Sequence, residues 1–185
     1  MATYISLLRG INLLGHKRVE MARLRVMFEG MGFARVRTYI NSGNVVFNAE
    51  RSAPAALSRR IEERMVEEFG FSAMVITRTA KELGRAIEGN PFVKESRSAP
   101  SSVFIGFMAQ APKADAIAKV KARAAKTEQA HCCGKEIYVY YLGGMGQAKL
   151  LTHGVLERVL AVSTTMRNWN TVSRLHAMAG EKTKP

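Results

Sequence analysis

Residues 35–48 read Arg-Val-Arg-Thr-Tyr-Ile-Asn-Ser-Gly-Asn-Val-Val-Phe-Asn, and this stretch constrains the fold more than any other. Two short runs of β-forming residues, Val36–Ile40 and Val45–Phe47, flank Asn41-Ser42-Gly43-Asn44. Gly and Asn tolerate the positive φ that a tight reversal needs, so the stretch reads as an antiparallel hairpin. A hairpin of this kind needs further strands or helices to bury its apolar face. The neighbouring segments supply them.

Tyr4–Arg9 reads as a first strand. Met21, Leu24, Met27, Phe28 and Met31 share one helical face, and Gly32 follows as a stop. After the hairpin, Ser52 is the expected N-cap of a helix with Pro54 in its first turn and Leu57, Ile61, Met65 and Phe69 inward. Ala73–Thr77 is expected as a fourth strand. The order β-α-β-β-α-β is the split βαβ, or ferredoxin-like, plan. Thr79 and Glu82 form a capping box that opens a short helix ending near Pro91. The polar run Lys94–Ser101, with Pro100, is the expected boundary.

The order then recurs. Val103–Met108 reads as a strand, and Pro112–Ala125 as a helix with Ile117, Val120 and Ala124 inward. Glu128–Cys133 pairs with Glu136–Leu142 about Gly134, and Thr152–Leu160 is helical. Ala161–Thr164 is read as a remnant strand and Thr165–Met178 as an added helix, with Thr165 as its N-cap. The expected class is therefore α+β: two ferredoxin-like halves in tandem, the second degenerate, plus a C-terminal helix. The corresponding divisions are 1–78, a helical linker at 79–100, a second half at 101–165, a helix at 166–179 and a frayed tail at 180–185.

Composition narrows the function classes. Net charge is +13, from 28 Lys and Arg against 15 Asp and Glu. A field of this sign attracts polyanions and phosphates non-specifically, and it equally describes a solvated basic surface. No apolar run approaches the roughly 20 residues that span a bilayer, so no membrane partner is expected. The N-terminus lacks a basic leader with a long apolar run, and the expected location is cytoplasmic. Cys132 and Cys133 are adjacent and read as two reduced thiols. The four histidines show no ligand spacing, so no metal or cofactor is expected.

Four polar clusters are candidates for binding. Arg9 and Asn12 sit where the first strand runs into a Gly-containing loop before a helix, with Lys17 and Arg18 read as solvated bases. Asn41, Ser42 and Asn44 bracket the hairpin turn, although turn chemistry alone accounts for Ser42. Gly143–Lys149 is a Gly-rich loop without the Gly-Lys-Ser/Thr order of a nucleotide-hydrolysing loop, leaving Lys149 as a phosphate contact. Arg167 and Asn168 are expected in the first turn of the last helix, where an Arg is electrostatically out of place unless it pairs with a carboxylate or a ligand. Trp169, the single tryptophan, is expected to be mostly buried at the junction of the halves. The first strand is antiparallel to the third, which brings Arg9, Asn12 and Asn44 to one sheet edge. The last helix is expected to add Arg167 and Asn168 to the same patch.

Tyr4–Asn12, Arg37–Phe47 and Arg167–Val172 together resemble the bacterial family called domain of unknown function 1697, and the likeness runs through nearly the whole chain. The resemblance implies two similar ferredoxin-like halves and leaves activity open. The leading expectation is non-enzymatic binding of a phosphate-bearing ligand, nucleic acid or nucleotide, through a basic Asn/Arg-lined patch. The alternatives are an enzyme of unknown reaction with a polar pocket between the halves, and a protein-interaction module whose polar motifs are a structural lock. No described motif holds a paired carboxylate or a nucleophile–base arrangement.

Overall fold

In the computed structural model, residues 1–13, 17–124, 127–144, 146, 148 and 154–181 are described. The protein is α+β, with two four-stranded antiparallel sheets and, among the described residues, seven α-helices. The chain divides into two compact units, residues 1–84 with 174–185, and residues 85–173.

The first unit is built on β1 (Ala2–Leu8), whose alternation feeds two opposite faces. α1 (Met21–Gly30), β2 (Ala34–Tyr39), β3 (Asn44–Ala49), α2 (Pro54–Phe69) and β4 (Val75–Thr79) follow, and the strand order is β2-β3-β1-β4. One face of the sheet presents Tyr4, Leu8, Val45, Phe47 and Val75 to Leu24 and Phe28 of α1 and to Leu57, Ile61 and Met65 of α2. Phe47 lies between Phe28 and Phe33, with ring centroids 5.3 and 4.6 Å away.

Ser52 is not the N-cap of α2. Ala53 holds that position, while the Tyr4 hydroxyl donates to the Ser52 carbonyl and accepts its N–H, both at 2.9 Å. A buried phenol thus fixes the chain before Pro54. The outer edge of β4 is closed by side chains. Glu62 accepts the Val75 N–H at 2.7 Å, Ser58 the Thr77 N–H at 3.0 Å, and Glu82 the Thr79 N–H at 2.8 Å. The last of these belongs to the expected capping box, with the Thr79 hydroxyl accepting the Glu82 N–H at 3.1 Å. The box opens α3 (Ala80–Glu88).

The expected boundary run Lys94–Ser101 holds α4 (Val93–Ser98) and a 3-10 turn at Pro100–Ser102. Asn90 explains why. Its side chain accepts the Phe92 N–H and donates to Ser96, ending one helix and starting the next. In the second unit β5 (Val103–Met108), α5 (Ala114–Arg123), β6 (Glu128–Cys133), β7 (Glu136–Tyr141), α6 (Val155–Leu160) and β8 (Thr164–Asn168) form a sheet of order β6-β7-β5-β8. Its core joins Met108, Val120, Ile137, Val139, Tyr141, Leu156 and Leu160. In α5, Ala116 and Val120 are buried, whereas Ile117 is only half-buried, as is Ala124 just past the helix end.

The C-terminal reading needs correction. The last strand covers Thr164–Asn168 rather than Ala161–Thr164, and α7 begins at Trp169 and ends at Gly180. Thr165 is therefore a strand residue opposite Phe107, not a helix cap. Residues 182–185 of the expected tail lie outside the described residues. Glu181 is engaged: it pairs with Arg37 of β2 at 2.6 Å and with Arg174 at 3.1 Å, and Arg37 also donates to the Met178 carbonyl.

Two tyrosines of the second unit give a paired prediction. The Tyr138 hydroxyl donates to the Ala86 carbonyl at 2.8 Å, whereas the equally buried Tyr141 hydroxyl has no partner among the described residues. Removing an unsatisfied buried hydroxyl spares its desolvation cost, while removing a satisfied one orphans a carbonyl. Tyr141→Phe is expected to be neutral or stabilising by about 1 kcal/mol, and Tyr138→Phe to destabilise by about 1–2 kcal/mol, in urea titrations. Burial also holds both phenols well above the usual tyrosine range. The folded state disfavours their ionised form, so this stabilisation is present below the unfolded tyrosine pKa near about 10 and is lost at higher pH. Absorbance at an alkaline end point should register these two rings only as the protein unfolds.

Candidate functional site

The end of β1 and the β2–β3 turn come together as their antiparallel order requires. Leu7 faces Asn44 in the ladder, and the Leu8 N–H donates to the Gly43 carbonyl at 2.8 Å. Asn12 follows at φ 55°, a left-handed conformation that Asn tolerates better than most residues. Its amide donates to the carbonyls of Val19 and Asn41, both at 2.9 Å, and its Oδ1 accepts the Val19 N–H at 2.8 Å. One side chain therefore ties the β1–α1 connection to the hairpin turn. Asn44 is completely buried, and its amide donates to the Tyr39 carbonyl at 3.0 Å and to the Ser42 hydroxyl at 2.9 Å. Asn12, Ser42 and Asn44 thus spend their polar atoms on the protein itself. Arg9 is half-buried at the end of β1, with its N–H on the Met74 carbonyl. Asn41 has an exposed side chain.

The tie holds open a cleft of about 800 Å³ at the start of α1. Asn12 and Asn41 line it together with Arg18, Glu20, Arg23 and Phe69. Four observations define its electrostatics. Glu20 is the N-cap residue of α1 but makes no side-chain capping bond, and the first turn holds no acidic residue. The positive end of the helix dipole is thus left without a side-chain cap. Arg18 is exposed and has no carboxylate partner among the described residues. Its neighbour Lys17 is committed elsewhere, donating to the Ser72 carbonyl at 2.7 Å beside the Phe71 ring. Arg23 is neutralised by Glu68 at 2.8 Å. The cleft therefore pairs one uncommitted guanidinium with one carboxylate, Glu20.

Arg167, Asn168 and Trp169 are not among the residues lining this cleft. Arg167 stands on β8 opposite Ile105 and belongs to the second unit. It is 9% exposed, and its guanidinium donates to the Thr165 hydroxyl at 2.9 Å and to the Met166 carbonyl at 2.8 Å. Burial lowers its pKa to about 10. The charge–dipole conflict expected for a helix start does not arise, because Arg167 precedes the helix. Asn168 is the residue that caps α7, accepting the Thr171 N–H at 3.0 Å. Trp169 opens that helix and is half-buried, not mostly buried, because a first-turn side chain projects from the helix end. Lys149 lies outside the described residues. Tyr4 and Phe47, the rings considered for base stacking on the first sheet, are 2% and 0% exposed, so neither is open to a base.

Residues 1–138 match the family described as "Protein of unknown function (DUF1697)". The chain belongs to this family. It is also similar in structure to the conserved bacterial protein SP0830 from Streptococcus pneumoniae, with a TM-score of 0.76 and 24% identity over 96% of this chain and 98% of that one. Identity at that level bears on the fold alone. No curated protein matches the chain. In this DUF1697 protein the hairpin motif carries its weight structurally: Arg37 anchors the C-terminal end of α7, and Asn44 fills the turn. Sequence reasoning missed Arg37, Glu20, Arg23 and Phe69 and set Arg18 aside. The available signal was an uncapped helix start after a basic pair, Lys17-Arg18. No group of three or more His, Cys, Asp or Glu able to hold a metal occurs among the described residues, and no described helix is long and apolar enough to cross a membrane.

Proposed function

We propose that this protein binds a small phosphate-bearing molecule in the α1 cleft. The observation that carries the reading is Arg18, an exposed guanidinium without a carboxylate partner among the described residues, lining the same cleft as an uncapped helix start. Both favour an anion. The cleft's volume of about 800 Å³ suits a compact ligand rather than a polymer. Glu20 gives such a ligand an acceptor for a hydroxyl or amino group. Nucleic acid is the weaker form of the same idea, since the buried rings leave mainly diffuse charge to hold it.

Calorimetry with ribose 5-phosphate tests the reading. Binding is expected, and Arg18→Glu should weaken it at least about tenfold with the melting temperature unchanged. Affinity should also rise as pH passes about 6, where a phosphomonoester takes its second charge. Equal affinity in the variant would remove the site. An oligonucleotide that binds, ignores Arg18 and is released by moderate salt would favour the diffuse surface instead.

We also read the two units as copies of one ferredoxin-like plan. Their strand orders correspond, β2-β3-β1-β4 and β6-β7-β5-β8. In each, a buried Arg stands one residue before the end of the last strand, Arg78 opposite Ile5 and Arg167 opposite Ile105. The next residue caps the following helix, through Thr79 and Asn168. A helical glutamate accepts the first N–H of that strand in both, Glu62 for Val75 and Glu157 for Thr164. Four such agreements outside any shared sequence run support duplication.

A further inference from the structure

We infer that the ligand of the α1 cleft is a nucleotide, whose base stacks on the guanidinium of Arg23. The inference rests on the phosphate-binding reading above and adds the chemistry at the other end of the ligand. Phe69 and Arg23 both line the cleft. The Arg23 guanidinium carbon lies 4.9 Å from the centre of the Phe69 ring, within cation–π range. Two bonds fix its orientation. Nε pairs with the Glu68 carboxylate at 2.8 Å, and Nη2 donates to the Glu68 backbone carbonyl at 2.7 Å.

A surface arginine normally loses several rotamers' worth of freedom when it holds a ligand. Here that ordering is already done by α2. The guanidinium lies over the Phe69 ring, yet the side chain is still 56% exposed and lines the cleft, so it keeps surface for a ligand there. A planar, π-faced group fits such a shelf, because a guanidinium stacks on a base as it does on an aromatic side chain. The remaining Nη1 edge is a donor for a ring nitrogen or a carbonyl of the base. The three features together divide the cleft by chemistry: anion at Arg18, hydroxyls at Glu20, flat aromatic at Arg23. A sugar phosphate uses the first two, and a nucleotide uses all three.

Comparing AMP with ribose 5-phosphate by calorimetry isolates the third. AMP is expected to bind the wild-type protein about tenfold more tightly, the gain typical of one stacked base. Arg23→Lys keeps the charge beside Glu68 but removes the plane. It should abolish the AMP advantage and leave ribose 5-phosphate affinity within about twofold. Phe69→Leu, which leaves Arg23 and Glu68 in place and removes the backing ring, should reduce the advantage in the same direction. An AMP advantage that persists in both variants, or one that is absent from the wild type while ribose 5-phosphate binds, overturns the stacking inference and spares the phosphate site. Failure of both probes to bind overturns the phosphate site itself.

Discussion

Gly43→Ala is expected to cost about 3–4 kcal/mol and to leave the first unit largely unfolded at modest urea. Two independent effects add at this position. Gly43 has φ 74°, where an L side chain pays about 1–2 kcal/mol in steric strain. A Cβ built there also falls 2.7 Å from the Leu8 Cβ and 2.7 Å from the Ile11 Cδ1. Leu8 offers no relief, since it is the last residue of β1 and its N–H bonds the Gly43 carbonyl itself. Relaxing the clash means pulling the turn off the strand, which abandons that bond and the Leu7–Asn44 register. Overpacking of this kind typically adds about 1–3 kcal/mol. A measured loss below about 1 kcal/mol would mean that turn and strand are not in contact as described.

Asn12→Ala is the second large effect, at about 2–4 kcal/mol. It removes three hydrogen bonds to backbone groups of Val19 and Asn41, and it places alanine at φ 55°. The part-buried Val19 carbonyl loses its side-chain donor, and the link to the Asn41 carbonyl is broken. Because Asn12 ties the two walls of the cleft, ribose 5-phosphate affinity should fall along with stability. Arg18→Glu is its counterpart, with affinity lost and stability kept. Together the two variants separate the group that builds the cleft from the group that meets the ligand. If Asn12→Ala kept full stability and lost binding, Asn12 would be a contact residue and its role as a tie would be wrong.

Much of the architecture was legible because its signals are local. The hairpin follows from Asn41-Ser42-Gly43-Asn44, and the capping box at Thr79 and Glu82 is formed as its spacing requires. The strand Val103–Met108 matches its apolar run residue for residue. The C-terminal segment was misread because it offers two overlapping cap patterns, Thr165 to Asn168 and Asn168 to Thr171. Pairing with β5 decides between them: strand contacts hold Thr164–Asn168 extended, and only Asn168 is then free to cap. No local rule carries that information. The candidate cleft was half legible. Asn12 and Asn41 stand out as residue types, but Arg18 matters through having no carboxylate partner among the described residues and Arg23 through Phe69 at the end of a different helix. Such properties belong to tertiary neighbours and leave no trace in spacing.

The sealed margin of β4 has a bearing on how this protein behaves at high concentration. A sheet's last strand ordinarily offers a row of vacant donors to any passing extended chain, and self-association through such rows is a common route to precipitation and fibrils. At Val75, Thr77 and Thr79 every second amide is already taken, by Glu62, Ser58 and Glu82. A foreign strand finds these three donors engaged and can reach them only by evicting side chains anchored in two helices. Colloidal robustness is thus written into the helices rather than into the strand, whose own apolar sequence Val-Ile-Thr would otherwise invite pairing.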